Sequence, residues 1–124
     1  MKESYKIAII DDETEILNML SRFLNRSGKY SVSTFSNPVI ALDSIKNESY
    51  DLILLDIMMP QMNGLDALEK IMNINEEQKV VMMTAYSTLD KVLKSHKQGA
   101  TNYVMKPFDS LQALDNKIIE VLKS

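Results

Sequence analysis

The sequence predicts an α/β protein built from five βα units, a parallel, doubly wound sheet with helices on both faces. Three observations lead there. Short apolar or alternating runs recur five times, and each is followed by apolar residues at helical spacing. The connections between them are short, as crossovers in a parallel sheet are. The middle run, Leu52 to Leu55, is continuously apolar, as a strand covered on both faces must be, and it stops abruptly at Asp56.

The first strand, Tyr5 to Ile10, ends on Asp11-Asp12-Glu13. Ile16, Leu17, Leu20, Phe23 and Leu24 then form the apolar stripe of a helix closed by Gly28. Tyr30 to Phe35 alternates like a strand with one wetter face, and Asn37-Pro38 opens a second helix in the N-cap and first-turn positions. Ile40, Ala41, Leu42 and Ile45 are expected to face the sheet. In the third unit an ionised Asp56 has no place inside an apolar run without a partner, so it is expected where the strand surfaces at its C-terminal end. Pro60 prevents the strand from continuing, and Asn63-Gly64 supplies a turn and a helix start. Leu65, Leu68, Ile71 and Met72 point inward. Lys79 to Thr84 reads as a buried strand ending on a hydroxyl. Ser87 or Thr88 caps a fourth helix that Gly99 ends; its inward residues are only Leu89, Val92 and Leu93, so it is expected to be loosely held. Thr101 to Met105 is a fifth strand running into Lys106-Pro107. Asp109 and Gln112 have capping-box spacing ahead of a last helix lined by Leu111, Leu114, Ile118, Val121 and Leu122.

Composition narrows the function classes. At 124 residues and 14.1 kDa the chain reads as one domain, residues 1–124, burying roughly two thirds of the surface its unfolded form exposes. There are no cysteines, which suits a reducing compartment. The start, MKESYKIAII, passes into a strand without a signal-peptide hydrophobic region, and no apolar run approaches the ~18 residues of a membrane span; a cytoplasmic location is expected. Lys plus Arg number 14 against 17 Asp plus Glu, for a net charge of −3, which argues against sequence-independent nucleic-acid binding. His96 lies among Lys94 and Lys97 and is assigned to solvent, and the nine methionines are mostly core filler, those near Asp56 offering an adaptable contact surface.

In a parallel sheet the C-terminal ends of all strands share one edge, where ligands bind. That edge should gather Asp11, Asp12, Asp56, Thr84 and Lys106. Carboxylates that close repel, and either their pKa values rise or a hard cation neutralises them. An all-oxygen set favours Mg²⁺ or Mn²⁺ over Zn²⁺. Such a cation also accepts phosphate oxygens, with Lys106 and Thr84 available for the others, which leaves one carboxylate as a nucleophile toward phosphorus.

On four segments, IIDDE, LLDIMMPQMNG, VMMTAY and YVMKPF, the chain resembles the receiver domain of two-component response regulators over essentially its whole length. The resemblance implies the sheet order 2-1-3-4-5. It implies Asp56 as phosphoacceptor, Asp12 as direct metal ligand, Asp11 as the acid acting through water, and the Met58 backbone carbonyl as a third protein ligand to Mg²⁺. Thr84 and Lys106 match the phosphate-sensing hydroxyl and ammonium, and Tyr103, expected partly buried, the aromatic that changes rotamer. A cis Lys106-Pro107 bond is expected on the same ground. Met58 and Tyr86 match two positions that tune dephosphorylation; both are bulky here, so slow hydrolysis is expected. The implied donor is a histidine kinase or histidine phosphotransfer protein, and phosphate would bias the surface of the fourth helix, fifth strand and fifth helix. The downstream output is left open, since nothing follows the fifth helix: the chain reads either as a single-domain regulator or shuttle, or as a receiver excised from a longer one.

Bland readings compete. Asp12 with Glu15 makes a D-x-x-E capping box, Thr84 can simply end a strand, and Lys106 can be solvated. Two other functions use related parts. An aspartate-nucleophile phosphohydrolase also needs a strand-end Asp and Mg²⁺, but its D-x-D motif and cap insertions are missing. A nucleotide- or flavin-binding module shares the topology, but no Gly-rich loop follows the first strand.

Overall fold

The computed structural model describes residues 4–85, 94 and 97–124. In chain order the elements are β1 Tyr5–Ile10, α1 Thr14–Arg26, β2 Tyr30–Phe35, α2 Pro38–Asn47, β3 Leu52–Asp56, α3 Gly64–Ile74, β4 Val80–Ala85, β5 Asn102–Lys106 and a C-terminal helix Leu111–Lys123. The strands form one sheet in the order β2-β1-β3-β4-β5, and every pairing is parallel. The expected strand order and layering hold. Of the expected fourth helix, Ser87, Thr88, Leu89, Val92, Leu93 and His96 lie outside the described residues.

The two-residue period of the strands sorts their side chains onto two faces. On one, Ala8, Ile10, Ile53, Leu55, Val80 and Met82 meet Ala41, Leu42 and Ile45 of α2 and Ala67, Leu68 and Ile71 of α3. On the other, Ile7, Ile9, Leu52, Leu54, Val81 and Met83 meet Leu17, Leu20 and Leu24 of α1 and Leu114, Ile118 and Val121 of the C-terminal helix. Leu52 to Leu55 alternate between the two cores and are all buried, so the continuous apolar run is required by having helices on both sides. Each such side chain contributes roughly 1.5–3 kcal/mol by leaving water, which makes β3 a firmly placed base on which a functional group can stand.

Local chemistry sets the ends of the elements. Asn37 caps α2 by accepting from Val39 N–H at 2.9 Å, with Pro38 at the first turn, and Asn63 caps α3 by accepting from Leu65 N–H at 2.8 Å. After α1, Gly28 takes φ +74°, a left-handed turn that glycine adopts without strain. The last helix is capped by Ser110, whose hydroxyl accepts from Ala113 N–H at 3.0 Å, and not by Asp109 as the spacing suggested. Asp109 is one residue too early for the register in which Leu114, Ile118 and Val121 face the sheet. Likewise Ile40 is exposed, because the inward positions of α2 are 38, 41, 42 and 45, and residue 40 lies off that face. Among the described helices none is long and apolar enough to cross a membrane.

Candidate functional site

Three strand ends build the site. Asp11 follows β1 and is fully buried; its backbone N–H donates to Phe35 O at 3.1 Å, and its Oδ1 accepts from Glu13 N–H at 2.9 Å. α1 then starts at Thr14 with Glu13 in the N-cap position and no side-chain cap, so Asp12 does not form the capping box with Glu15 that competed for it. Asp12 is half-buried and faces the same space. Asp56 ends β3, opposite Met83 of β4. Carboxylate oxygens of Asp11, Asp12 and Asp56 all lie within 4.8 Å of one another.

Asp56 departs from expectation in one respect. It stands at the C-terminal end of its strand but is only 4% exposed, so it does not surface there. A buried carboxylate needs a partner, and Lys106 supplies one. Its Nζ lies 2.6 Å from Asp11 Oδ2, 3.4 Å from Asp56 Oδ1 and 3.3 Å from Glu13 Oε1. The Lys106-Pro107 peptide that follows is cis. Thr84, buried, is the next residue of β4 after Met83, and pairs in register with Met105.

The loop from Ile57 to Asn63 closes on itself just behind Asp56. Ile57 N–H donates to Met83 O at 3.1 Å, and Gly64 N–H donates to Ile57 O at 2.7 Å. Met58, in this loop, is 53% exposed and so is not core filler, whereas Met59, Met82 and Met83 are buried. Tyr86, paired with Met58 by the sequence reading, lies outside the described residues. Tyr103 is 42% exposed, more open than the partial burial expected of it. Its strand is the edge of the sheet, with β4 as its only neighbour among the described strands, and Val104, facing the other way, is the one that packs into a core.

Charge and burial together set the protonation of the site. Removal from water pushes the Asp56 carboxyl up to about 7; the neighbouring Asp11 carboxylate adds to this and the Lys106 ammonium opposes it. For Lys106, burial acts to lower its pKa, but the hydrogen bond to Asp11 and the charges of Asp56, Asp11 and Glu13 outweigh it and leave it raised. The donor set fits a hard divalent cation: three carboxylates on converging backbones, with no nitrogen or sulfur among them. In the sequence Glu13 stands out only as a third acid at the joint. Its contact with Lys106 depends on α1 starting at Thr14 and on the turn after β5, neither of which spacing reveals.

Residues 7–119 match the family described as the response regulator receiver domain. The chain is 38% identical over 104 residues to Sporulation initiation phosphotransferase F of Bacillus subtilis, covering 84% of this chain and 83% of that protein. It is 36% identical over 112 residues to Transcriptional regulatory protein ZraR of Klebsiella oxytoca, covering 89% of this chain but only 25% of that longer protein. Among solved structures, the response regulator receiver domain protein (CheY-like) of Methanospirillum hungatei superposes with a TM-score of 0.91 at 35% identity, over 97% of this chain and 94% of that one.

Proposed function

The chain belongs to the response regulator receiver domain family, whose members are phosphorylation-dependent signalling switches of two-component systems, and from that premise we propose that Asp56 is its phosphoacceptor. The donor is the phosphohistidine of a histidine kinase or histidine phosphotransfer protein. One observation carries the reading: a strand-end carboxylate, buried within 4.8 Å of two others, with a lysine ammonium 3.4 Å from it.

Asp11, Asp12, Asp56 and the backbone carbonyl of Met58 would hold Mg²⁺, or Mn²⁺ in its place. When bound, the ion neutralises the carboxylates and the charge on phosphoryl oxygens. Asp56 contributes the nucleophilic oxygen. A P–O bond forms to it while the P–N bond of the donor breaks, and the imidazole nitrogen keeps that electron pair and takes a proton from solvent. Lys106 supplies positive charge beside the acceptor, and the Thr84 hydroxyl a hydrogen-bond donor. Burial keeps bulk water from the anhydride, in line with a protein that modifies itself and turns over no metabolite.

Acetyl phosphate with Mg²⁺, followed by intact mass measurement, tests the assignment. One phosphoryl adduct is expected on the parent and none on Asp56→Ala. Undiminished labelling of the variant sinks it, steady phosphate release points to a phosphohydrolase, and an unchanged mass to a binding module.

The phosphoryl group is also expected to draw Thr84 inward and let Tyr103 follow from its exposed position on the edge strand, altering the face formed by β5 and the C-terminal helix. Beryllofluoride should therefore shift amide NMR signals between residues 84 and 106. Signals that stay in place there, while those of Asp56 and its neighbours move, would refute the switch and leave the acceptor standing.

A further inference from the structure

Lys106 and a divalent cation compete for the same carboxylate. Asp11 has both oxygens engaged: Oδ1 accepts from Glu13 N–H at 2.9 Å, and Oδ2 accepts from Lys106 Nζ at 2.6 Å. For Asp11 to turn an oxygen toward an ion shared with Asp12 and Asp56, or toward a water on that ion, the ammonium has to withdraw from Oδ2. Two cations close together repel, so it also needs a new place with negative charge at hand. Asp56, 3.4 Å from the ammonium, is itself one of the three carboxylates around the ion, so its charge is shared with that ion.

Glu13 is placed to do so. Its Oε1 is already 3.3 Å from Lys106 Nζ, and its side chain, 60% exposed, lies on the solvent side of the three buried or half-buried acids. The same residue therefore touches both partners of the ion pair that the cation must break, Asp11 through its backbone and Lys106 through its carboxylate. We infer that Glu13 is a positioning residue that receives the Lys106 ammonium when a divalent cation enters, and so sets the metal affinity of the acceptor site without ligating the metal.

This inference rests on the metal-site reading above, and the experiment separates the two. Mg²⁺ affinity is measured by isothermal titration calorimetry at fixed ionic strength and pH on the parent, Glu13→Gln and Glu15→Gln. Glu15 is an exposed acid in the first turn of the same helix, so Glu15→Gln removes the same charge from a position outside the Lys106 ion pairs. Glu13→Gln is expected to weaken Mg²⁺ binding about fourfold, in the range of one partly exposed ion pair, and Glu15→Gln less than twofold. In a Lys106→Met background, where no ammonium has to be relocated, Mg²⁺ should bind more tightly than to the parent, and the two glutamine variants should become equal. Equal effects of the two variants in the parent background overturn the role of Glu13. So does a Glu13→Gln deficit that persists undiminished in the Lys106→Met background, which points to a direct effect on the ion. If the parent takes up no Mg²⁺ at all, it is the metal-site reading that fails.

Discussion

In chelator-containing buffer at pH 8, Asp56→Asn is expected to be more stable than the parent, although it deletes a hydrogen-bonded charge. The reason is the environment in which Asp56 ionises. Burial foremost, with the Asp11 carboxylate adding to it, raises its carboxyl from 3.8 to about 7, so the fold opposes the charged form. The sign follows from linkage. Because the folded value lies above the unfolded one, this group's contribution is fully present below about pH 4 and is lost as pH rises through 7, with a slope no steeper than ~1.4 kcal/mol per pH unit. The interval from 3.8 to about 7 caps the loss at about 4 kcal/mol. That value already includes the opposing pull of Lys106. Relaxation of the surroundings and entry of water around the charge recover part of the cap, so a gain of about 2–3 kcal/mol is expected for the asparagine variant at pH 8, and almost none at pH 4. Urea unfolding at both values measures it. A variant that is less stable at pH 8, or a difference that does not change with pH, would show that Asp56 is not held against its charge. Added Mg²⁺ should raise the stability of the parent more than that of the variant, since ligand binding to the folded state stabilises by mass action.

That strain is the thermodynamic counterpart of the proposed function. A carboxylate comfortable in its surroundings would have little reason to recruit a cation or to exchange its charge pattern for that of an acyl phosphate. Here β3 buries four large apolar residues and then places Asp56 among two further acids, so the firmness of the strand holds the proposed acceptor where its charge is disfavoured.

The sheet and its layers were legible because they rest on periodicity, which a single chain carries in full. A continuous apolar run ended by one carboxylate identified β3 and Asp56 together, and topology alone then brought Asp11, Asp12 and Lys106 to the same edge. What was not legible depends on a phase of one residue or on a neighbour's position. Ile40 differs from its buried neighbour Ala41 only by the turn of a helix. Ser110 displaces Asp109 as cap because packing of Leu114 and Ile118 sets the register of the last helix. Tyr103 is open because β5 is an edge strand, which the order of strands decides and local sequence does not. Asp56 is buried and not surfaced because its partner comes from the far end of the chain, at Lys106.

Gly64→Ala is expected to be among the most damaging single-methyl additions in the protein, and the sequence conceals why. Inside a helix alanine is favoured over glycine by about 1 kcal/mol, so propensity alone gives no warning against alanine at the start of one. Gly64, however, opens α3 directly against the end of β3. A Cβ there would stand 2.2 Å from Asp56 O, 2.6 Å from Ile57 Cα and 2.9 Å from Asp56 C. All three are backbone atoms, so no side-chain rotation relieves the clash. Either the start of α3 or the end of β3 must move by more than an ångström. The first unseats Leu65, Leu68 and Ile71 from the core, and the second breaks the Gly64 N–H to Ile57 O bond and displaces the carboxylate of Asp56. Overpacking against an unyielding wall places the cost at about 3 kcal/mol or more. Gly28→Ala serves as the comparison: nothing lies within 4 Å of its Cβ position, and only the left-handed φ of +74° opposes it, for about 1–2 kcal/mol. Urea unfolding of the two variants, with acetyl phosphate labelling of the folded fraction, distinguishes the mechanisms. Gly28→Ala should lose stability and still label at the parental rate, while Gly64→Ala should lose more stability and label at least tenfold more slowly, because 1 Å of misplacement at an acceptor is enough for such a loss. A Gly64→Ala protein as stable as the parent and labelled as fast would mean that α3 does not press on the acceptor strand at all.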